Sequence, residues 1–294
     1  LMVVSRIYDP MQVSLQNLAA IIASDVQSAR LDEILSHDVQ EGSEKLDNKG
    51  YDIEFSNVGF SYDTGDVVLN DVSFTAKQGE VTALIGPSGG GKTTVSRLAA
   101  RFWDADKGKI TVGGMDISMI DPETLMSLYS IVFQDVTLFN NTVIENIRIG
   151  KMDATDEEVI AAAKAARAHH FIQTLPGGYQ MELNEDASNV SQGQKQLLTI
   201  ARAILADNKI LILDEATSSV DTRTEIEIQK AMDNLMKGRT SFIIAHRLST
   251  IRDADLILVM KDGDIIEQGN HEELLAKNGF YANLYNSQFE DVVA

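Results

Sequence analysis

A glycine-rich segment at residues 86–93 limits what this chain can fold into more than any other feature. It follows an apolar run, 82–85, that is typical of a buried strand, and it leads into a helical stretch, 93–102. Glycines let the backbone aim N–H groups at phosphate oxygens, and a helix N-terminus adds partial positive charge. The order strand, loop, helix therefore predicts a phosphate-binding loop in an α/β domain. Its residues are Gly86, Pro87, Ser88, Gly89, Gly90, Gly91, Lys92 and Thr93.

Two side chains of this loop have individual expected roles. Lys92 is expected to reach the β- and γ-phosphates of a nucleotide, and the Thr93 hydroxyl is expected to ligate Mg²⁺. The alternative is a glycine-rich turn that occurs by chance. By itself the loop indicates an NTPase and no narrower class.

Two adjacent carboxylates follow a second apolar run, 210–213. Asp214 is suited to hold Mg²⁺ through water, and Glu215 can then polarise the attacking water as a general base. An acidic turn after a buried strand is the alternative. The phosphate loop upstream favours the hydrolytic interpretation.

Two more polar residues stand at predicted strand ends. His246 follows the run 242–245 and is predicted to sense the γ-phosphate and to position Glu215 and the water. Gln134 follows the run 131–133 and can offer an amide oxygen to Mg²⁺. Open α/β sheets bind ligands at the carboxyl ends of their strands, so we expect both residues near the phosphate loop.

An aromatic residue, Tyr62, precedes the phosphate loop in the sequence Phe-Ser-Tyr-Asp. Its ring offers a face on which a purine base can stack. A tyrosine buried in the core is the alternative, and the residues alone leave the two open.

The run pattern predicts an α/β fold, namely a P-loop NTPase core with a parallel sheet, an N-terminal antiparallel β subdomain and an inserted helical subdomain at about 138–206. Continuous apolar runs suit buried parallel strands, whereas the earlier runs near 53–55 and 72–74 alternate as antiparallel strands do. The parallel runs are 81–85, 131–133, 210–213, 242–244 and 256–260.

The first fifty residues read differently from the rest. Apolar residues trace one face of a helix from Pro10 to about residue 37, and the polar stretch 38–50 is predicted to be a linker. We therefore expect two parts, 1–50 and 51–294. The opening residues suggest the interior of a longer polypeptide or an excised piece, with Met2 as a true start being the alternative.

Composition excludes several classes of protein. The 44 acidic residues against 25 basic ones give a net charge of −19, which opposes binding to nucleic acid. The absence of cysteine excludes disulfides and thiolate metal sites. No apolar run approaches the length of a membrane-spanning helix.

These residues together resemble the nucleotide-binding domain of ABC transporters. The resemblance is carried by the segments Val-Ser-Gln-Gly-Gln at 190–194 and Asp-Glu-Ala-Thr-Ser-Ser-Val-Asp at 214–221, and it covers 51 to about 289. The segments 133–139 and 142–147 are similar to the glutamine loop of the exporter branch. The first fifty residues then look like the cytosolic end of the last transmembrane helix and its linker.

The resemblance implies ATP and Mg²⁺ as cofactors, with Tyr62 stacked on adenine, the segment Gly86 to Thr94 on the phosphates, and Gln134 linking Mg²⁺ to the membrane domain. It also implies partners: an upstream transmembrane domain and a second nucleotide-binding domain in a head-to-tail homo- or heterodimer at the cytoplasmic face of the cell membrane. The residues expected to bind or signal across that dimer are Ser191, Gly193, Gln194 and Asp221. The alternative for 191–194 is an ordinary helix N-cap, a role that Ser191 is expected to fill in either case.

The sequence departs from the family pattern in two places. Val190 and Gln192 replace the usual leucine and first glycine of the Leu-Ser-Gly-Gly-Gln signature, and segment 183–189 lacks the usual glycine-containing contact. Gln192 limits how closely the backbone can approach a phosphate. Neither departure touches Lys92, Glu215 or His246.

The leading hypothesis is the ATPase part of an exporter. Its rivals are a soluble ABC-type ATPase that acts on DNA or ribosomes, and a regulatory module that binds ATP without turnover. The acidic charge and the N-terminal helix argue against the first rival, and Glu215 with His246 argue against the second. Drug, lipid, peptide and siderophore remain open as substrates.

Overall fold

This computed structural model describes residues 2–36, 39–62, 65, 67–133, 136–214, 221–245 and 248–289. The chain forms two compact units, Leu1–Glu41 and Gly42–Ala294. The first unit contains one long helix. The second contains two sheets and the remaining helices.

Helix α1, Met2–Leu35, makes up most of the first unit. The predicted helix is confirmed, but it begins at Met2 and contains Pro10 in its interior. The apolar side chains that the structure describes in this helix, from Ile7 onward, are exposed; Leu18, for example, retains 55% of its accessible surface. Within the described ranges, no helix combines the length and hydropathy needed to cross a bilayer.

The strands of the second unit alternate with its helices along the chain. They are β1 Ile53–Ser61, β2 Val67–Ala76, β3 Val81–Ile85, β4 Lys107–Val112, β5 Met115–Asp116, β6 Tyr129–Val132, β7 Ile210–Asp214, β8 Thr240–Ile244, β9 Leu256–Lys261 and β10 Asp264–Gly269.

These strands form two sheets. A four-stranded sheet has the order β2-β1-β4-β5, and all of its pairs are antiparallel. A six-stranded sheet has the order β10-β9-β3-β8-β7-β6, in which β9, β3, β8, β7 and β6 are parallel. Only β10, the partner of β9, runs antiparallel among the described strands of that sheet. The predicted parallel core and antiparallel subdomain are both confirmed.

The helices of the second unit begin at well-capped positions in several cases. They are α2 Lys92–Ala99, α3 Pro122–Met126, α4 Val143–Arg148, α5 Asp156–Ala165, α6 His169–Thr174, α7 Gln192–Ala206, α8 Thr222–Met236, α9 Leu248–Arg252, α10 His271–Ala276 and α11 Phe280–Phe289.

Helices α4 to α7 lie between β6 and β7 in the sequence, although these two strands are neighbours in the sheet. The chain therefore leaves the sheet, forms a helical segment and returns beside the strand that it left. The apolar faces of these helices join one core that includes Ile147, Val159 and Leu198. This is the helical insertion that the sequence predicts.

Helix α2 is shorter than predicted. The expected helix runs from 93 to 102, but α2 ends at Ala99. Arg101 adopts a left-handed backbone conformation with φ of 55°, and its guanidinium contacts Asp104 and the carbonyl oxygen of Ile120. These contacts with residues beyond the helix stop it, since a residue in the left-handed region cannot continue a right-handed helix.

Candidate nucleotide-binding site

The carboxyl ends of three parallel strands bring the predicted site residues to one sheet edge. Ile244 at the end of β8 pairs with Leu84 of β3 on one side and with Asp214 of β7 on the other. The phosphate loop follows β3 directly. Asp214 and this loop are therefore separated only by the width of one strand, as the sequence predicts.

Three of the predicted site residues lie outside the described part of the chain. They are Gln134, Glu215 and His246. Glu215 directly follows β7, and Gln134 and His246 stand two positions after the ends of β6 and β8. All three strands end at this edge of the sheet. Their proposed roles stay predictions.

The phosphate loop needs its glycines at specific points. Gly86 has φ of 136°, and a Cβ at this position would lie 2.0 Å from the carbonyl oxygen of Met260 in β9. Gly91 has φ of 95° and precedes α2 with no side-chain cap on the helix. The first N–H groups of α2 are thus left without a capping side chain, which makes the helix start a suitable anion site.

The side chain of Lys92 folds back onto the start of the phosphate loop. Its Nζ atom donates hydrogen bonds to the carbonyl oxygens of Gly86 and Pro87, both at 2.8 Å. The side chain is buried, and this burial lowers its pKa from the ordinary value, against the attraction of the Asp214 carboxylate, which raises the pKa. Two carbonyl oxygens of the loop therefore hold an ammonium group within the predicted phosphate site.

The expected Mg²⁺ ligands that the structure describes lie together. Thr93 and Asp214 line one small pocket with Phe133, which directly precedes Gln134. Among the described residues, no group of three or more His, Asp or Glu side chains is placed to hold a metal ion. A hydroxyl, one carboxylate and substrate oxygens suit Mg²⁺, which keeps water and phosphate ligands rather than an all-protein cage.

Tyr62 lies beside helix α2, with its hydroxyl 3.0 Å from the hydroxyl of Thr94. Its ring makes edge contacts with Phe60 and Trp103 at centroid distances of 5.0 and 5.3 Å. The side chain is half-buried. This contact joins the predicted base-stacking residue to helix α2, directly after Thr93. The sequence does not reveal it, because no local pattern connects positions so far apart.

A second group of predicted residues begins helix α7. Ser191 is the N-cap: its hydroxyl accepts from the Gln194 backbone at 3.3 Å, and the Gln194 side chain accepts from the Ser191 backbone at 2.9 Å. Ser191 is exposed, Gly193 is buried and Gln194 is half-buried. This reciprocal cap satisfies two orphan N–H groups and confirms the expected capping role of Ser191.

Asp221 is the N-cap of helix α8. Its carboxylate accepts a hydrogen bond from the backbone of Thr224 at 3.0 Å, and hydrogen bonds to Thr224 hold the pKa of Asp221 below its ordinary value. The side chain is exposed. The expected signalling role stays a prediction.

Main-chain packing around the loop is a feature that the sequence does not reveal. The Met260 carbonyl oxygen lies against both Gly86 and Gly90, where an added Cβ would approach it to 2.0 and 3.2 Å. A backbone carbonyl has no sequence signature, so no signal could have found this contact.

Alanine at Gly86 is expected to destabilise the chain far more than alanine at Gly89. The Gly86 variant combines a left-handed backbone with a clash against Met260, for an expected loss of about 3–4 kcal/mol in the free energy of unfolding. Gly89 also has positive φ, but nothing lies within 4 Å of an added Cβ, so about 1–2 kcal/mol is expected. Urea unfolding without nucleotide measures both, and equal losses would contradict the packing argument.

A phosphate loop and a carboxylate at one sheet edge, with a helical segment inserted between neighbouring strands, define a P-loop nucleotide-binding domain of the ABC type. The chain belongs to the ABC transporter family, whose model matches residues 69–218, about half of the sequence. Members of this family bind ATP and hydrolyse it to drive transport.

Among relatives, the chain is 53% identical over 238 residues to an uncharacterized ABC transporter ATP-binding protein of Bacillus subtilis (strain 168), covering 81% of this chain and 39% of that protein. It is 51% identical over 229 residues to a fatty acid ABC transporter ATP-binding/permease protein of Mycobacterium bovis, covering 78% and 36%. It is 50% identical over 254 residues to an ATP-dependent lipid A-core flippase of Methylobacillus flagellatus, covering 86% and 44%.

A solved structure has the same fold. The structure of a bacterial Atm1-family ABC exporter with ATP bound matches with a TM-score of 0.82 and 40% identity over 90% of this chain and 46% of the other. The chain thus spans less than half the length of these relatives.

Proposed function

We propose that this chain is the ATP-hydrolysing part of an exporter, acting at the cytoplasmic face of a membrane. The observation that carries the proposal is the Lys92 ammonium, held at the centre of a glycine loop and attracted by Asp214 at the same sheet edge. Relatives named as a fatty acid ABC transporter and as a lipid A-core flippase support transport across a membrane, and the likeness to an Atm1-family exporter structure supports export. No relative cited above is named as an ATPase that acts on DNA or ribosomes.

The described residues fit ATP with Mg²⁺. Lys92 and the uncapped N-terminus of α2 would hold the phosphates, and Thr93 with Asp214 would hold the metal. Mg²⁺, when bound, would neutralise charge on the β- and γ-phosphates. Tyr62 would stack on adenine, and Gln134 would complete the metal site.

Hydrolysis would then depend on residues that follow β7 and β8. Glu215 would take the proton from the attacking water, and His246 would hold Glu215 and the γ-phosphate in line. Asp214 would bind the metal and leave Glu215 free for this work.

We further propose that the site is shared between two chains. Ser191, Gly193 and Gln194 at the start of α7 would bind the γ-phosphate of ATP held on the partner chain, and Asp221 would contact that partner. Exposure of Ser191 and of Asp221 supports this role. A transmembrane domain upstream in the full-length protein would receive the resulting movement.

Mixing two inactive variants tests the shared site. Lys92→Met disables the loop of a chain, and Ser191→Glu places a negative charge where that chain would meet the partner's phosphate. A mixed dimer keeps one intact site, so a one-to-one mixture is expected to regain about a quarter of the wild-type rate of phosphate release.

Either variant alone is expected to be inactive in the same assay. A site complete within one chain would give no recovery on mixing, and that result would overturn the shared-site proposal. If the wild-type chain released no phosphate from ATP, the proposal that it hydrolyses ATP would itself be wrong.

A further inference from the structure

Arg202, in the second half of α7, contacts a loop that leads from β6 into α4. Its Nε atom donates to the Asn146 carbonyl oxygen at 3.0 Å, and its Nη1 atom donates to the Thr137 carbonyl oxygen at 3.4 Å. The guanidinium carbon also lies 5.9 Å from the centroid of the Phe139 ring. One side chain of α7 thus contacts three points of the segment 137–146.

The same loop is also held by the side chain of Asn146, a buried residue of α4. Its Oδ1 atom accepts from the Phe139 backbone at 2.8 Å, and its Nδ2 atom donates to the carbonyl oxygens of Phe139 and Thr142, each at 3.0 Å. The loop therefore has one defined conformation, and Arg202 binds to that conformation rather than to a single atom.

The loop is also tied to the segment before α7. The Leu183 backbone donates to the Asn141 carbonyl oxygen at 2.9 Å, and the Val143 backbone donates to the Met181 carbonyl oxygen at 3.0 Å. Residues 181–183 lead directly to Ser191. Arg202 thus joins this loop to the second half of α7. Residues 181–183 join the same loop to the chain that leads into the first turn of α7.

The arginine at this position also carries a cost to stability. Burial lowers the pKa of Arg202 from its ordinary value. Its Nη2 atom is buried and has no hydrogen-bond partner in the part of the chain that the structure describes. A buried donor without an acceptor is destabilising, and this cost offsets part of what the hydrogen bonds to Asn146 and Thr137 contribute to stability.

We propose that Arg202 is a positioning residue for ATP hydrolysis: it fixes the direction of α7, and so the place of Ser191, relative to loop 137–142. This inference rests on the proposed function. Arg202 lies eleven positions after Ser191, a distance of about 16 Å along a helix. A small tilt of α7 about Arg202 therefore displaces the N-cap. Misplacing a group by about 1 Å at a catalytic site can lower a rate about a hundredfold.

The test compares Arg202→Met with Arg239→Met. Arg239 is also largely buried and donates to the carbonyl oxygens of Asn208 and Leu235 and to the Asp207 carboxylate, but it contacts no part of loop 137–142 among the interactions described. Arg202→Met is expected to lower kcat at least tenfold with unchanged affinity for a fluorescent ATP analogue, because its own phosphate loop is intact. Arg239→Met is expected to keep kcat.

Mixing gives the decisive readout. Arg202→Met is expected to regain activity with Lys92→Met, which supplies an intact start of α7, and to regain none with Ser191→Glu, which lacks it. An Arg202→Met variant that loses ATP affinity, or matches Arg239→Met in kcat, overturns the inference. If Arg202→Met does not fold, Arg202→Lys, which can reach one carbonyl, takes its place in the same mixtures.

The two proposals fail differently. If Lys92→Met and Ser191→Glu do not restore each other, the shared site is wrong. If they do and Arg202→Met lacks either the expected loss of kcat or the expected mixing pattern, only the positioning role is wrong.

Discussion

Replacing Glu215 with glutamine is expected to lower the rate of ATP hydrolysis by about 10²–10⁴-fold and to leave ATP binding intact. Glutamine keeps the size of the side chain but cannot take the proton of the attacking water. Asp214, the last residue of β7, is unchanged in this variant and would still bind the metal. Phosphate release at saturating ATP, with affinity measured separately, gives both quantities.

Glu157→Gln is the matched control for this prediction, because it removes one exposed carboxylate from the first turn of α5. It is expected to have the wild-type rate. A Glu215→Gln chain with the same rate as wild type would show that another group is the base.

Replacing Lys92 with methionine is expected to lower kcat by about 10²–10³-fold, since the transition state loses a fixed positive charge at the transferred phosphate. Affinity for ATP is expected to fall as well, because Lys92 would contact the phosphates in the ground state. The assay is phosphate release together with nucleotide binding. Lys77→Met, at an exposed turn lysine, is the control and is expected to behave as wild type.

The same substitution is expected to leave the fold at least as stable at pH 7. The folded-state pKa of Lys92 lies below its ordinary value of 10.5, so the fold disfavours the charged form that dominates at neutral pH. This cost is fully present below the folded-state pKa and disappears as the pH rises from there to the unfolded-state pKa. Gly86 is half-buried and Pro87 is exposed, so we expect water to replace Lys92 as the donor to their carbonyl oxygens.

Urea unfolding, followed by the fluorescence of Trp103, the single tryptophan, measures this effect. Any stability gained by Lys92→Met at pH 7 is expected to shrink as the pH approaches 10.5. A variant that is much less stable at pH 7 would contradict the burial argument and would leave its loss of activity without a chemical explanation.

Sequence patterns predicted most of the sheet because each signal is local. The apolar runs of β3, β7, β8 and β9 are long enough for buried parallel strands, and each appears where it was expected. The end of α2 was predicted wrongly, since Arg101 stops the helix through a carbonyl oxygen of Ile120, a contact outside any local window.

The stretch 38–50 shows a similar limit. It is polar and lacks a period, which is typical of a linker, yet Ser43 and Lys49 donate backbone hydrogen bonds to the carbonyl oxygens of Met119 and Gly113. Main-chain hydrogen bonds of this kind use no particular side chain. A pattern of residue types therefore cannot predict them.

The sequence by itself determined the phosphate loop, the strands at whose ends the other predicted site residues stand, and the cap that begins α7. Each of these features depends on residues close together in the chain. Only the tertiary structure decided that Met260 lies against Gly86, that Tyr62 bonds to Thr94 and that Arg202 binds the loop 137–142. These contacts join residues distant in sequence, and packing of the sheet and helices, rather than any local periodicity, brings them together.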